Sequence, residues 1–170
     1  MRLALVLAVC VACSNGAKKH DDARSIPTQQ EASVAPATAK VWLTGAEGEV
    51  PVSVEVVDTP PKIMKGLMYR EHLPLDAGML FLMAVMNDGK EDDQTFYMRN
   101  TLIPLDMIFI NKDLTIVGIV KNAEPRTETL RSVGMPSLYV LEVNGGWTAA
   151  KKIQVGSKVR FEGVTPSPSP

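Results

Sequence analysis

The sequence predicts a mainly β fold, a compact antiparallel β-sandwich or barrel with one or two short helices, and α+β as the alternative. Three observations predict it. Apolar runs are short and are separated by clusters of Gly, Pro, Asn and Asp. Val50 to Val57 alternates, with Val50, Val52, Val54 and Val56 on one face and Ser53 and Glu55 on the other. Helix signals are few, and no internal repeat is visible. The 170 residues are 45% hydrophobic but only 5% aromatic, so the core is expected to be aliphatic and Met-rich.

In order, Val41-Trp42-Leu43 is a strand signal, and the alternating Val50–Val57 run is the next. Asp58-Thr59-Pro60-Pro61 then opens a helix, with Thr59 as cap and Pro60 at the first helical position. Ile63 and Leu67, with Met64 and Met68, are expected on its inner face, and Gly66 keeps it short. Asp76-Ala77-Gly78 reads as a turn and Met79 to Met83 as a buried strand. Asn87 to Asp93 is polar and acidic, an exposed loop. Thr95–Met98 and Leu105–Ile110 are strand signals, and Asn111-Lys112-Asp113 turns the second into Thr115–Val120 as a hairpin. Lys121 to Ser137 is a long connection, and Leu138–Val143 is a further strand. Asn144-Gly145-Gly146 breaks it before a short helical piece at Trp147 to Lys151. Gly156-Ser157 joins strand signals at Ile153–Val155 and Val159–Phe161.

The ends differ in kind from the middle. Arg2, the apolar run Leu3 to Val11, the small Ala12 and Cys13 have the form of a secretory signal. The run is shorter than the ~20 residues that span a bilayer as a helix. With cysteine after the small residue, residues 1–13 look like a bacterial lipoprotein signal, with Cys13 as the lipidated new N-terminus. Ser14, rather than an aspartate, then resembles the pattern sorted to the outer membrane. The expected location is the cell envelope, at the outer membrane facing the periplasm, and the expected partner there is the membrane, through the lipid. Residues 14–39 read as a disordered tether, 40–164 as one globular domain, and 165–170 as a disordered Pro/Ser tail.

Composition excludes several classes. A formal net charge of -1 without a basic stripe argues against nucleic acid as a partner. Cys10 and Cys13 both lie in the signal region, which leaves no thiol for a disulfide or nucleophile in the domain. With only His20 and His72 besides, no Cys/His metal centre and no cofactor are expected.

Four segments together resemble the bacterial and archaeal family called domain of unknown function 192. They are Lys65-Gly66-Leu67-Met68-Tyr69-Arg70, Gly78-Met79-Leu80-Phe81, Phe96 to Asp106, and Tyr139 to Gly146. The resemblance covers nearly all of Val52 to Glu162. Tyr97 stands where tryptophan is common in the family, Arg99 where lysine is common, and Met83 where an aromatic is frequent. The resemblance implies a shared fold and supplies no reaction.

Arg70, Asn100, Thr101, Asp106 and Glu142 are the candidate binding residues, because they are polar groups interrupting the apolar runs of those segments. A lone buried carboxylate costs several kcal/mol, so Asp106 and Glu142 each need a partner or exposure. Arg70 ends the helical segment and Asp106 opens a strand of the sheet it covers. The two are therefore expected to pair, with Asn100 in support. The pair either fixes the sheet or lines a pocket.

No catalytic residue is assigned. His72 lacks a nucleophile elbow, and Asn87-Asp88-Gly89 and Lys112-Asp113 lack a calcium-loop ladder. Gly145-Gly146 lacks the rest of a dinucleotide fingerprint. The methionines suit core filling better than copper. The expected function is an envelope lipoprotein with a non-catalytic domain for an unknown small molecule, envelope polymer or protein. The alternative is a hydrolase of envelope carbohydrate, using Asp106 and Glu142 as acid and base.

Overall fold

The structure is a computed structural model and describes residues 39–83 and 91–164. The signal at 1–13 with Cys13, the tether up to residue 38, part of the 87–93 loop and the tail at 165–170 lie outside the described residues.

The domain is mainly β, as expected. One seven-stranded sheet curls into a half-barrel, with strand order β6-β5-β8-β3-β2-β1-β9. The strands of this sheet are β1 (Ala39–Gly45), β2 (Gly48–Val57), β3 (Ala77–Leu82), β5 (Leu105–Ile110), β6 (Ile116–Ala123), β8 (Tyr139–Asn144) and β9 (Val159–Glu162). A separate small pair joins β4 (Asp92–Asp93) to β7 (Pro136–Ser137). The helices are α1 (Pro60–Lys65) and α2 (Trp147–Ala150). Ala39 belongs to β1 rather than to the tether, because it is buried and pairs with Val54.

The curl follows from the edges. Thr115, just before β6, bridges to Lys158, just before β9, so the two ends of the sheet meet at one corner. Val41 and Leu43 of β1, Val159 of β9, Ile116 of β6 and Ile108 and Ile110 of β5 form one core on the inner side of the curl. A second core lies on the outer side: Val57, Met79, Phe81, Met107, Phe109 and Val140, with Leu67 and Met98 from covering loops. Strand β5 is buried along its whole length because both of its faces are covered.

Several expectations are corrected. β2 and β3 pair in parallel, so the sheet is not wholly antiparallel. The connection between them carries α1, as adjacent parallel strands require a crossover. Ala77 and Gly78 open β3 instead of forming a turn. Thr95–Met98 is a loop with one bridge, Phe96 to Arg131, because its backbone partners lie in the irregular 127–131 segment. Ile153–Val155 is not a strand. Ile153 instead turns back on α2 through its N–H to the Thr148 carbonyl, 2.9 Å. Met64 is 70% exposed, because the six-residue α1 turns only one narrow side to the sheet.

Candidate functional site

The outer core is roofed by two loops. The first leaves α1 through Gly66, whose φ of 46° is left-handed and whose absent Cβ would lie 3.2 Å from Phe81 Cζ. It continues through Leu67 and Met68. The second carries Thr95, Phe96 and Tyr97 and ends in the turn at Asn100 and Thr101. Tyr69 and Asn100 both have left-handed backbones, with φ of 63° and 55°. They lock the two loops together. The Tyr69 N–H donates to the Asn100 carbonyl at 2.8 Å, and Asn100 Nδ2 donates to Tyr69 Oη at 2.9 Å.

Between this roof and the sheet lies a cavity of about 170 Å³. Ile63, Met64, Met68 and Met83 line it, with Phe81, Phe96 and Tyr97, and Lys65 stands at the solvent side. Phe96 meets Phe81 and Phe109 edge to face, at ring centroid separations of 5.1 and 6.0 Å. Its polar lining residues are Lys65, Thr95, Tyr97, Thr101 and Glu142. Glu142 is only 4% exposed and makes no side-chain hydrogen bond among the described residues; it borders the cavity, whereas Ser137 Oγ is the described side-chain atom that is fully buried without a partner. Burial pushes its pKa up from 4.5 to about 8. A carboxyl of that kind in a cleft is a candidate functional group.

Asp106 has the opposite environment. It is fully buried on the inner side of the curl, where four donors enclose it. The backbone N–H groups of Asn122 and Gly146 donate to Oδ1 at 2.7 and 2.9 Å. Thr148 donates to Oδ2 through its N–H at 2.9 Å and its hydroxyl at 2.6 Å. Asp106 thus holds the start of α2 and the end of β6 to the sheet.

The sequence-derived pair Arg70–Asp106 is not formed. Arg70 is half-exposed and grips Glu55 with its two terminal guanidinium nitrogens, at 2.5 and 2.6 Å. The exchange of partners has a simple cause. Glu55 lies on the outer face, two strands from Glu142 along the row Glu55, Met79, Glu142, Met107. Arg70 approaches that face, whereas Asp106 points to the other and is satisfied by backbone donors. The acid–base pair Asp106–Glu142 is not formed either. Met107 is the residue opposite Glu142, and Asp106 is opposite Val143, so the two carboxyls project from opposite faces of the sheet.

Of the five candidates, the cavity therefore brings together Thr101 and Glu142. Asn100 and Arg70 support its roof, and Asp106 lies elsewhere. Sequence reasoning missed Glu55, though the Val50–Val57 alternation already separates it from Val54 and Val56. It also missed Asn144, whose Nδ2 donates to the Leu73 and Pro74 carbonyls at 3.1 and 3.0 Å and ties down the loop before β3.

Solved structures share this architecture. A protein of unknown function from Novosphingobium aromaticivorans DSM 12444 is 41% identical, with a TM-score of 0.65 over 71% of this chain and 83% of that one. A putative transcription regulator from Sinorhizobium meliloti 1021 is 35% identical, with a TM-score of 0.68 over 77% of this chain and 98% of that one. No curated protein matches the chain. The profile of the family described as DUF192, uncharacterized ACR, matches residues 42–161. That span holds every strand of the half-barrel at least in part and both faces of the Glu142 cavity, and the chain belongs to the DUF192 family.

Proposed function

We propose that this domain is a non-catalytic binding module that takes a small, largely apolar ligand in the cavity over Glu142. One observation carries the reading: a nearly fully buried carboxyl, unmatched among the described residues, lies at the wall of a cavity that methionine and aromatic side chains share with Lys65, Thr95 and Thr101. A buried polar group without a partner costs free energy, and a ligand that pairs with it recovers that cost. The hydrolase alternative loses its second carboxyl to the other face of the sheet. The description of the Sinorhizobium protein as a putative transcription regulator gains no support from a chain of net charge -1.

The test is a thermal-shift screen of small organic molecules, followed by methyl NMR. Ligands of the native state raise the melting temperature by mass action. Hits are expected to move the methyl signals of Met64, Met68 and Met83. A set of hits that leaves those methyls unmoved refutes the cavity as the site.

The same proposal includes export. The Arg2, Leu3–Val11, Ala12, Cys13 pattern supports a lipid-held protein of the cell envelope, meeting its ligand at the periplasmic face of the outer membrane. Stable anchoring requires more than one acyl chain. Cys13→Ser is expected to abolish fatty-acid labelling and move the protein out of the membrane fraction. Unchanged labelling refutes the anchor.

A further inference from the structure

We propose that the occupant of this cavity is a small organic cation, an ammonium group on a compact apolar body, held by the Glu142 carboxylate and the faces of Phe96 and Tyr97. The inference rests on reading the cavity as a ligand site and specifies its ligand class.

Three features select a cation. The first is the lone carboxyl at the cavity wall, 4% exposed and without a donor among the described residues. The second is the walls. Aromatic faces carry negative quadrupole potential and attract ammonium groups. Tyr97 already does so, since the Arg99 guanidinium lies 5.2 Å from its ring centroid. The third is the disposition of the protein's own cations. Lys65 is exposed at the end of α1, Arg99 is bound to Glu128 at 2.9 Å, and Arg70 is bound to Glu55. None of these pairs with Glu142.

The other elements around Glu142 add one full charge to the cavity, the Lys65 ammonium of α1, which is exposed and makes no ion pair with Glu142. Met79 of β3 and Met107 of β5 flank it, and Tyr97 is the titratable group of the second roof loop. The Glu55–Arg70 pair sits two strands away, ~10 Å by ordinary strand spacing. The size also fits. An apolar cavity of ~150 Å³ accommodates benzene, so one of about 170 Å³ accepts a six-membered ring bearing an amine.

The class has a signature in pH. A cation requires Glu142 ionised, so binding expels its proton. Affinity then rises roughly tenfold per pH unit up to about pH 8 and is level above it. A neutral hydrogen-bond acceptor shows the reverse, because it needs the protonated acid.

The experiment is calorimetric titration of the purified protein with cyclohexylamine, cyclohexanol and cyclohexanecarboxylate between about pH 6 and 9, for wild type, Glu142→Gln and Tyr97→Leu. Glu142→Gln keeps the shape of the side chain and removes a buried ionisable group, so the fold is preserved. Expected for wild type are amine binding at least ~10-fold tighter than that of cyclohexanol above pH 8, and the rise with pH. Glu142→Gln is expected to abolish both the preference and the slope. Tyr97→Leu is expected to weaken the amine more than the alcohol. Cyclohexanol binding equally well, or an amine affinity unchanged in Glu142→Gln, overturns the cation while leaving the cavity a binding site. If none of the three probes binds, the cation is overturned and the binding-module reading loses this size of ligand.

Discussion

Truncating Asp106 is expected to be among the most damaging single changes in the domain. Asp106→Ala leaves the Thr148 N–H and hydroxyl without an acceptor in a fully buried position. Each stranded donor costs about 1–3 kcal/mol. The N–H groups of Asn122 and Gly146 are only part-buried and recover water, so they add less. The expected loss is roughly 4 kcal/mol, within the ~3–5 kcal/mol seen when one partner of a buried charged contact is removed. Against a total stability of about 5–15 kcal/mol, that brings the domain near its threshold. For a domain of this size the melting temperature falls by roughly 10–20 °C. Asp106→Asn retains one oxygen but turns an amide N–H₂ toward donors, so it recovers at most half. Urea unfolding measures the loss, as a lower midpoint at unchanged m-value. A cycle with Thr148→Val is expected to show coupling of about 1–3 kcal/mol. A loss below ~1 kcal/mol for Asp106→Ala refutes the idea that these four hydrogen bonds hold the start of α2 and the end of β6 to the sheet.

Two further outcomes follow from the other charged groups. Glu142 titrates near 4.5 when unfolded and near 8 when folded, so between these values the native state holds the extra proton and stability falls as pH rises. The fall is up to about 1.4 kcal/mol per pH unit, roughly 4–5 kcal/mol in all, with no part of it below pH 4.5 and no further loss above pH 8. Glu142→Gln should flatten that slope in denaturation curves taken across the window, and an unaltered slope refutes the assignment. Arg70→Ala should cost only about 0–1 kcal/mol, since its pair with Glu55 is solvent-exposed on both sides. Combined with Asp106→Ala it should add within about 0.5 kcal/mol, whereas strong coupling in the double-mutant cycle would restore the discarded pair.

The parts of the fold legible in the sequence are those written in side-chain periodicity. The valines of β2 alternate, and Val52 and Val54 do enter the inner core, with Val50 and Val56 packed on it. Leu105 to Ile110 reads as an apolar run because β5 is covered on both sides. Thr59-Pro60 does begin α1, although the Thr59 side chain makes no capping hydrogen bond. Pairing order was not legible. The crossover from β2 to β3 makes them parallel neighbours through a choice of register, for which no local residue carries a signal. Thr95–Met98 has strand-like composition, but its hydrogen bonds go to an irregular segment about thirty residues away.

The site divides along the same line. Asp106 and Glu142 present one signature, an acid inside an apolar run, and that signature correctly marks both as anomalous. It cannot distinguish their fates, because these depend on which face each side chain takes and on which backbone N–H groups converge there. A shift of register by one residue between β5 and β8 would put both carboxyls on one face and make the acid–base reading geometrically available. The observed register, Asp106 opposite Val143, separates them instead. One acid is then consumed by structure, since three backbone N–H groups and a hydroxyl leave it no capacity for a ligand. The other keeps its full capacity, in a cavity lined by aromatic and methionine side chains together with Ile63, Lys65, Thr95 and Thr101. Burial without donors costs stability that packing alone would not require, since a leucine at position 142 would fill the same apolar surroundings. A fold that carries such a group at the wall of a cavity therefore directs the search for function to Glu142 rather than to the better-bonded Asp106.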